Sequence, residues 1–183
     1  SRPLSWSCGE LTSGYTSCHL SEELEKRLPF PFFAGWGISF DVVDAYKNAA
    51  TALSACKKDQ NHYTFLVTES QEMVGPLNSN RSISYSLKPH AQTSSLAKSL
   101  GISPINLEKI ISLQKERSMY EFTSSDLVYF LEITPRSASR ILSKLSSADL
   151  AHPVRTINLN GTGRPLTVYE IDFSNIKEFW GSH

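Results

Sequence analysis

Basic and hydroxyl side chains are interleaved with apolar ones in one short segment of the chain, and together they could grip a polyanion. The segment reads TPRSASRILSKL from Thr134 to Leu145. A guanidinium can donate two hydrogen bonds to O6 and N7 of guanine or bind a phosphate, and a hydroxyl can donate to either. The side chains with this chemistry are Thr134, Arg136, Ser137, Ser139, Arg140 and Lys144.

A helix would place those side chains on one surface. Thr134 is a good N-cap, and Pro135 at the first helical position loses no hydrogen bond. We therefore predict a helix from Thr134 to about Ser146, with its basic and hydroxyl side chains facing away from the core. Four apolar side chains recur at i, i+3, i+4 and i+7 and define its buried face: Ala138, Ile141, Leu142 and Leu145.

Two further helices are predicted before this one. The nearer runs roughly from Ser124 to Glu132 with Thr123 as its cap, and its apolar side chains could pack against the Thr134 helix. A longer amphipathic helix is predicted at roughly 105–117. The Ser124–Glu132 helix and the Thr134 helix are therefore both short and are joined by a tight turn.

A β-hairpin is predicted after the basic helix. Val154–Leu159 and Leu166–Ile171 alternate apolar and polar residues as strands do. Asn160–Gly163 lies between them, a turn in which glycine can adopt positive φ. Three polar side chains on or beside this hairpin could contact phosphates or the minor groove: Arg155, Thr162 and Arg164.

This order of elements resembles the winged helix-turn-helix family of bacterial and archaeal transcription regulators. The resemblance is carried by LVYFLEITPRSASRILSKL at Leu127–Leu145 and by Gly161-Thr-Gly-Arg164 at the hairpin tip, less than half of the chain. The chain departs from the pattern at Ala148-Asp149-Leu150, where many relatives carry glycine. The resemblance implies double-stranded DNA as the partner and transcription regulation as the function.

The charge of this region bears on how DNA would be held. From Gly101 to Asp172 the sequence has eight Lys and Arg residues and eight Asp and Glu residues, so it lacks the basic excess of a strong phosphate binder. We expect weak non-specific affinity from one copy and a homodimer, which doubles the contacts, as the working form. The alternative is a protein-interaction scaffold whose exposed Arg and Ser side chains are only solvated.

Overall composition is that of an ordinary globular protein. The 183 residues suit one or two domains, with 18 basic and 18 acidic residues and 40% hydrophobic content. No run approaches the roughly 20 apolar residues that cross a bilayer, and nothing at the start resembles a signal peptide. We expect a cytoplasmic protein that does not bind membranes. Because the chain opens at Ser1 and not at Met, we interpret it as a shortened form.

The sequence contains no clear metal-binding or catalytic motif. Cys8, Cys18 and Cys56 form an odd set without C-x-x-C spacing, which favours free thiols in a reducing compartment. Zinc could bind Cys8, Cys18 and His19 only with a fourth ligand and shorter spacing. P-loop, dinucleotide, H-E-x-x-H and G-x-S-x-G motifs are all missing from the sequence. We predict no catalytic residue, no metal site and no cofactor.

The first half of the chain contains one clear strand-helix-strand unit. We predict a strand at Gly35–Phe40, a helix from Asp41 to about Lys58, and a strand at Tyr63–Thr68. Trp36 is expected in the core, with the lining of a ligand pocket as the alternative. The helix side chains expected to face inward are Val42, Ala45, Tyr46 (for which a pocket is again the alternative), Ala49, Leu53 and Cys56.

Gly35–Val67 is similar to the C-terminal part of the palm-like domains of diguanylate cyclases and related polymerase-like proteins. Those families hold two metal ions with paired carboxylates at a β-turn, and the only echo here is Cys8-Gly-Glu-Leu11. The resemblance therefore implies a degenerate domain that senses or dimerises. A generic α+β ligand-binding domain is the alternative.

Together these patterns predict an α+β protein with an N-terminal α/β sandwich-like sensory or dimerisation domain and a C-terminal winged helix-turn-helix domain. The predicted boundaries are 1–75 for the first domain, 76–93 for a polar linker that includes a short strand near 83–87, and 94–183 for the second. The predicted function is a DNA-binding transcription regulator, whose first domain could bind a small-molecule effector. The alternatives are the interaction scaffold and a palm-like nucleotide-processing enzyme fragment that docks nucleic acid through its winged helix.

Overall fold

A computed structural model describes residues 17–30, 32–56, 63–158 and 165–173. The chain divides into two compact units, Ser1–Ser84 and Tyr85–His183. The division falls inside the polar segment 76–93. Each unit combines helices with β-strands, so the chain is a mixed α+β protein, as its sequence predicts.

The first unit is built on a four-stranded sheet with strand order β1-β2-β3-β4. β1 and β2 are parallel and are connected through α2, which confirms the predicted strand-helix-strand unit. β3 then turns back antiparallel to β2. The elements in chain order are α1 (His19–Arg27), β1 (Phe33–Gly37), α2 (Val42–Cys56), β2 (Tyr63–Val67), β3 (Glu72–Gly75) and β4 (Ile83–Ser86), the last of which runs across the division.

Two glycines of β1 let α2 lie directly on the sheet. A Cβ atom on Gly35 would come within 2.3 Å of the backbone nitrogen of Leu53, and one on Gly37 within 2.1 Å of the carbonyl oxygen of Ala45. Contacts that short are impossible, so any side chain at either position would push the helix away from the strand. The Gly-Trp-Gly spacing in the sequence therefore serves helix-strand packing.

The buried face of α2 differs from the prediction. Val42 and Tyr46 were expected inside, but 83% and 76% of their surfaces are exposed, and Trp36 on β1 is also exposed. Cys56 is buried as predicted, but the other two buried side chains of the helix, Asn48 and Ala52, were not expected inside. The Asn48 amide nitrogen donates to the carbonyl oxygens of Ile38 at 2.9 Å and Thr68 at 3.1 Å, so a polar residue satisfies backbone groups in the interior. The predictions that placed Val42, Tyr46 and Trp36 in the core were wrong.

The second unit contains four helices and a three-stranded antiparallel sheet among its described residues. The sheet has the strand order β5-β7-β6. α4 confirms the predicted amphipathic helix to within one residue at its start, and α5 and α6 confirm the two short helices. The elements are α3 (Ala91–Leu100), α4 (Pro104–Arg117), β5 (Glu121–Phe122), α5 (Ser124–Leu131), α6 (Pro135–Ser147), β6 (Ala151–Ile157) and β7 (Leu166–Ile171).

A shared apolar core holds these helices against the sheet. Burial of each large apolar side chain contributes about 1.5–3 kcal/mol of transfer free energy. The amide nitrogen of the buried Gln114, on α4, also donates to the carbonyl oxygen of Ile171 on β7 at 2.7 Å. The largest fully buried apolar side chains of the unit are Leu107, Ile110 and Leu113 from α4, Phe122 from β5, Leu127 from α5, Leu145 from α6, Ile171 from β7, and Phe173 just after β7.

The hairpin strand β6 begins three residues earlier than its sequence pattern predicts. Pro153 argues against a strand at this position in the sequence, because proline cannot donate a hydrogen bond to a β-ladder. In the described sheet β6 is an outer strand, and its pairing with β7 shifts register between Pro153 and Arg155. An outer strand with an irregularity tolerates proline, so the strand extends back to Ala151, which pairs with Ile171. The predicted turn at 160–163 lies outside the described residues.

Candidate nucleic-acid interface

α6 begins at a cap that the sequence predicts. The Thr134 hydroxyl accepts from the backbone N–H of Ser137 at 3.2 Å, and the two hydroxyl groups lie 2.9 Å apart. Pro135 occupies the first turn, as expected. Thr134 and Ser137 therefore fix the start of the helix, and both side chains remain exposed. A hydroxyl that already accepts one bond can still donate to a ligand.

The two faces of α6 separate as the periodicity predicts. Its buried residues are Ala138, Ile141, Leu142 and Leu145, the four predicted ones. Because these four face the core, the polar positions between them face solvent. The exposed side chains of this surface, which we call the α6 surface, are Arg136, Ser137, Ser139, Arg140 and Ser143.

Arg136 and Arg140 lie one helical turn apart on the α6 surface. Within the described part of the chain, neither guanidinium has a hydrogen-bond or ion-pair partner. α6 contains no acidic residue. An arginine without an internal partner keeps all five N–H donors available for a ligand, and its fork geometry fits a guanine edge or a phosphate. These two residues give the α6 surface its anion-binding capacity.

Lys144, which was predicted to contact phosphate, makes a hydrogen bond within the unit. Its Nζ donates to the carbonyl oxygen of Gly101, and its side chain is half-buried. Gly101 is the left-handed residue that ends α3, with φ 62°. Lysine donors commonly satisfy the last carbonyls of a helix. The side chain therefore joins α6 to the end of α3, and its remaining donors are those available to a phosphate.

Arg155 on β6 also has an internal partner. Its guanidinium pairs with the carboxylate of Glu121 on β5, and Nη1 donates to Oε1 at 2.8 Å. Both side chains are exposed. The other two predicted hairpin residues, Thr162 and Arg164, lie outside the described residues.

The helix before α6 is fixed in place by a reciprocal cap. Thr123 accepts from the backbone N–H of Asp126 at 3.2 Å, while the Asp126 carboxylate accepts from the backbone N–H of Thr123 at 2.7 Å. α5 ends at Glu132 in the left-handed conformation, φ 55°, whose N–H donates to Val128. Only Glu132, Ile133 and Thr134 separate the two helices. This short connection sets the angle at which the α6 surface is presented.

A cleft of about 430 Å³ adjoins the α6 surface. It lies between the start of α5, the middle of α6 and β7. The hydroxyl groups of Ser124 on α5 and of Thr167 and Tyr169 on β7 line this cleft together with Ser139. The sequence did not predict this group, because these residues are brought together only by the packing of elements that are distant in the chain. The lining residues are Ser124, Ser139, Leu142, Pro165, Leu166, Thr167 and Tyr169.

Other kinds of site find little support in the described part of the chain. No group of three His, Cys, Asp or Glu side chains is placed there to hold a metal ion. Cys18 and Cys56 are free thiols, and the buried Cys56 donates to the Ala34 carbonyl at 3.3 Å. Cys8 lies outside the described residues. Among the described helices, none combines the length and the apolar character needed to cross a bilayer.

No protein-family model and no curated protein sequence matches this chain.

Proposed function

We propose that this chain is a DNA-binding transcription regulator whose second unit is a winged helix-turn-helix domain. The observation that carries the proposal is the α6 surface: two arginines without internal partners and three serines, on a capped helix without a carboxylate. A surface with donors and no acid suits a polyanion. The order α5, short turn, α6 and β-hairpin supports the same assignment, because that motif presents its second helix to DNA.

The dimensions of α6 fit the major groove. Its thirteen residues give a length of about 20 Å at about 1.5 Å per residue, and a helix about 10–12 Å wide enters a groove about 12 Å wide. Arg136 and Arg140 are separated by about 6 Å along the axis, close to two base-pair steps of about 3.4 Å. Each could therefore address a different base pair or phosphate along one groove.

The roles we propose follow from position and from internal contacts. Arg136 and Arg140 read guanine edges or bind phosphates, and Ser137 and Ser139 donate to bases or phosphates beside them. Thr134 lies at the N-terminal end of α6, where backbone N–H groups favour a phosphate. Phosphate contacts come from Lys144, Arg155 and Arg164. A phosphate must compete with the Gly101 carbonyl for Lys144 and with the Glu121 carboxylate for Arg155.

The first unit would serve as the sensing or dimerising part of the regulator. Its α2 and four-stranded sheet form a compact unit that is separate from α6 in the chain. In such a regulator this unit would bind an effector whose binding is coupled to that of DNA, or would join two copies. The free Cys18 and Cys56 thiols suit the reducing cytoplasm, where we propose that the protein acts.

The experiment that tests DNA binding is a fluorescence-anisotropy titration of a random-sequence duplex at about 50 and about 200 mM salt. We expect binding that weakens steeply with salt, and the double variant Arg136→Ala/Arg140→Ala should lose it. The matched control is Lys88→Ala/Lys98→Ala, which removes two exposed positive charges of the same unit that are not part of α6. This control should retain most of the affinity.

Two results would count against the proposal. If the wild-type chain does not bind DNA at low salt, the DNA-binding proposal fails and the interaction scaffold becomes the function to test. If both double variants lose affinity equally, binding depends on overall charge and not on α6.

A further inference from the structure

An exposed apolar cluster lies at the start of α2 in the first unit. We call it the α2 patch: Phe40, Val42, Val43 and Tyr46. Their exposed fractions are 96%, 83%, 59% and 76%. Four large apolar side chains this exposed within seven consecutive residues are unusual for a surface that only meets water.

The patch is contiguous on the helix surface. At about 100° per residue, Val42, Val43 and Tyr46 fall within an arc of about 100°, and Phe40 precedes the first turn. The exposed Ala50 lies one turn beyond Tyr46 and continues the apolar strip with a small residue. The charged side chains of this part of α2, Asp44 and Lys47, pair with each other at 2.8 Å and lie outside that arc.

The patch belongs to an ordered part of the helix. Asp41 caps α2, because its Oδ1 accepts from the backbone N–H groups of Val43 at 2.8 Å and Asp44 at 3.2 Å. The opposite side of the helix packs on the sheet through Asn48, Ala52 and Cys56. The fold therefore fixes this turn of α2 without using the four patch side chains in its own core.

The area of the patch is comparable with what a subunit contact needs. The four side chains expose on the order of 500 Å² of apolar surface, if a fully exposed aromatic side chain counts about 200 Å². The largest apolar patch on a monomer is typically about 300–600 Å² and is often functional, and a standard interface buries about 800 Å² per partner. The patch could thus form the apolar centre of such an interface, with polar neighbours as its rim.

We propose that the α2 patch is a dimer interface, on which a second copy of this chain places its own α2 patch. A two-fold contact needs a surface that is complementary to itself, and an uncharged apolar strip meets this condition without opposing like charges. The small Ala50 lets two α2 helices approach closely. The choice of a second copy rests in part on the proposed function: one α6 offers few phosphate contacts, and pairing two copies doubles them.

Sedimentation velocity of the full chain at about 1–100 μM, without DNA, tests the interface. We expect wild-type chain to shift from monomer to dimer with concentration. Val42→Glu/Tyr46→Glu should raise the dimer dissociation constant about tenfold or more, because the new charges face each other across the two-fold axis. The control is Thr51→Glu, which adds a charge at an exposed α2 position about 80° beyond the edge of the patch arc and should dimerise like the wild type.

A second variant protects the test against misfolding. Phe40→Ser changes a side chain outside α2 that is almost fully exposed, so the folded monomer should be unaffected while the dimer weakens. Circular dichroism of every variant checks that the overall helix content of the chain is unchanged.

The outcomes separate the interface from the DNA-binding function. A wild-type chain that stays monomeric throughout the range overturns the inference, and so do patch variants that dimerise like the wild type, which would leave the patch to another partner. Loss of the dimer in the patch variants alone supports the inference. DNA binding by α6 is measured separately: if the wild type dimerises through the patch but does not bind DNA, the interface stands and the proposed function fails.

Discussion

Arg155 on β6 and Glu121 on β5 form an ion pair across 34 residues of sequence, with Nη1 donating to Oε1 at 2.8 Å. In the order β5-β7-β6, the pair spans the middle strand of the sheet. A guanidinium held by a carboxylate is neutralised locally, so a polyanion must displace Glu121 before it can bind Arg155. In the second unit, the arginines of α6 are thus available to a ligand, whereas Arg155 on β6 is already paired with Glu121.

Glu121→Gln should therefore strengthen DNA binding. The substitution releases the Arg155 guanidinium, and we expect the affinity for a random-sequence duplex to rise about two- to fivefold at about 50 mM salt, with a steeper salt dependence. An exposed ion pair contributes only about 0–1 kcal/mol, so the free energy of unfolding should hardly change. Glu25→Gln on α1 is the charge-matched control, and an equal gain in that variant would assign the effect to net charge instead of to Arg155.

Lys144→Met should affect stability more than DNA binding. The variant keeps the aliphatic stem but loses the hydrogen bond to the Gly101 carbonyl, which should cost about 0.5–1.5 kcal/mol in the free energy of unfolding. Urea denaturation measures this loss. Fluorescence anisotropy compares the DNA affinity of Lys144→Met with that of Arg140→Ala. The assignment of Lys144 to the α3–α6 contact would be wrong if Lys144→Met weakened DNA binding as strongly as Arg140→Ala and left stability unchanged.

Asp149→Gly should stabilise the second unit. Asp149 follows α6 with φ 59°, in the left-handed region where glycine carries no Cβ penalty. Its pair with His152, at 3.7 Å between largely exposed side chains, contributes little. Relief of the left-handed strain, about 1–2 kcal/mol, exceeds the entropic cost of a glycine, about 0.5–1 kcal/mol, so we expect the free energy of unfolding measured by urea denaturation to rise by about 0.5–1 kcal/mol. Asp149→Ala keeps the Cβ atom and should show no such gain; equal stabilisation in both variants would disprove the backbone explanation.

Tyr85 makes the second unit sensitive to alkaline pH. Burial, with a smaller contribution from the charge of Glu132, raises the pKa of Tyr85 from its ordinary value of 10.0 to about 12. Because the folded state holds the phenolic proton more tightly, this contribution to stability is fully present below pH 10 and is lost as pH rises through about 12.

Tyr85→Phe cannot ionise, so its free energy of unfolding should fall less than that of the wild type between about pH 9 and about pH 11. Urea denaturation at both values gives the comparison, and Tyr129→Phe, at an exposed tyrosine, is the control. Parallel losses in wild type and Tyr85→Phe would show that the buried phenol does not drive the alkaline transition.

Local sequence determined α4, α5, α6 and β7 of the second unit, because their signals act over a few residues. Thr134 and Pro135 mark the start of α6, and its apolar spacing is a clean helical stripe with polar residues elsewhere. The four predicted core positions of α6 are therefore the four that the structure buries. Thr123 likewise caps α5 as predicted, through a bond to a residue three positions away.

Tertiary structure alone decided which side of α2 is buried and which arginines are free. α2 has alanine on several sides, so its periodicity is ambiguous, and the side chain that resolves it is the polar Asn48 through carbonyls 10 and 20 residues away. The partners of Arg155 and Lys144 are 34 and 43 residues distant in the chain. Caps and stripes depend on neighbours within one or two turns, whereas burial and charge neutralisation depend on whichever groups the folded chain brings together.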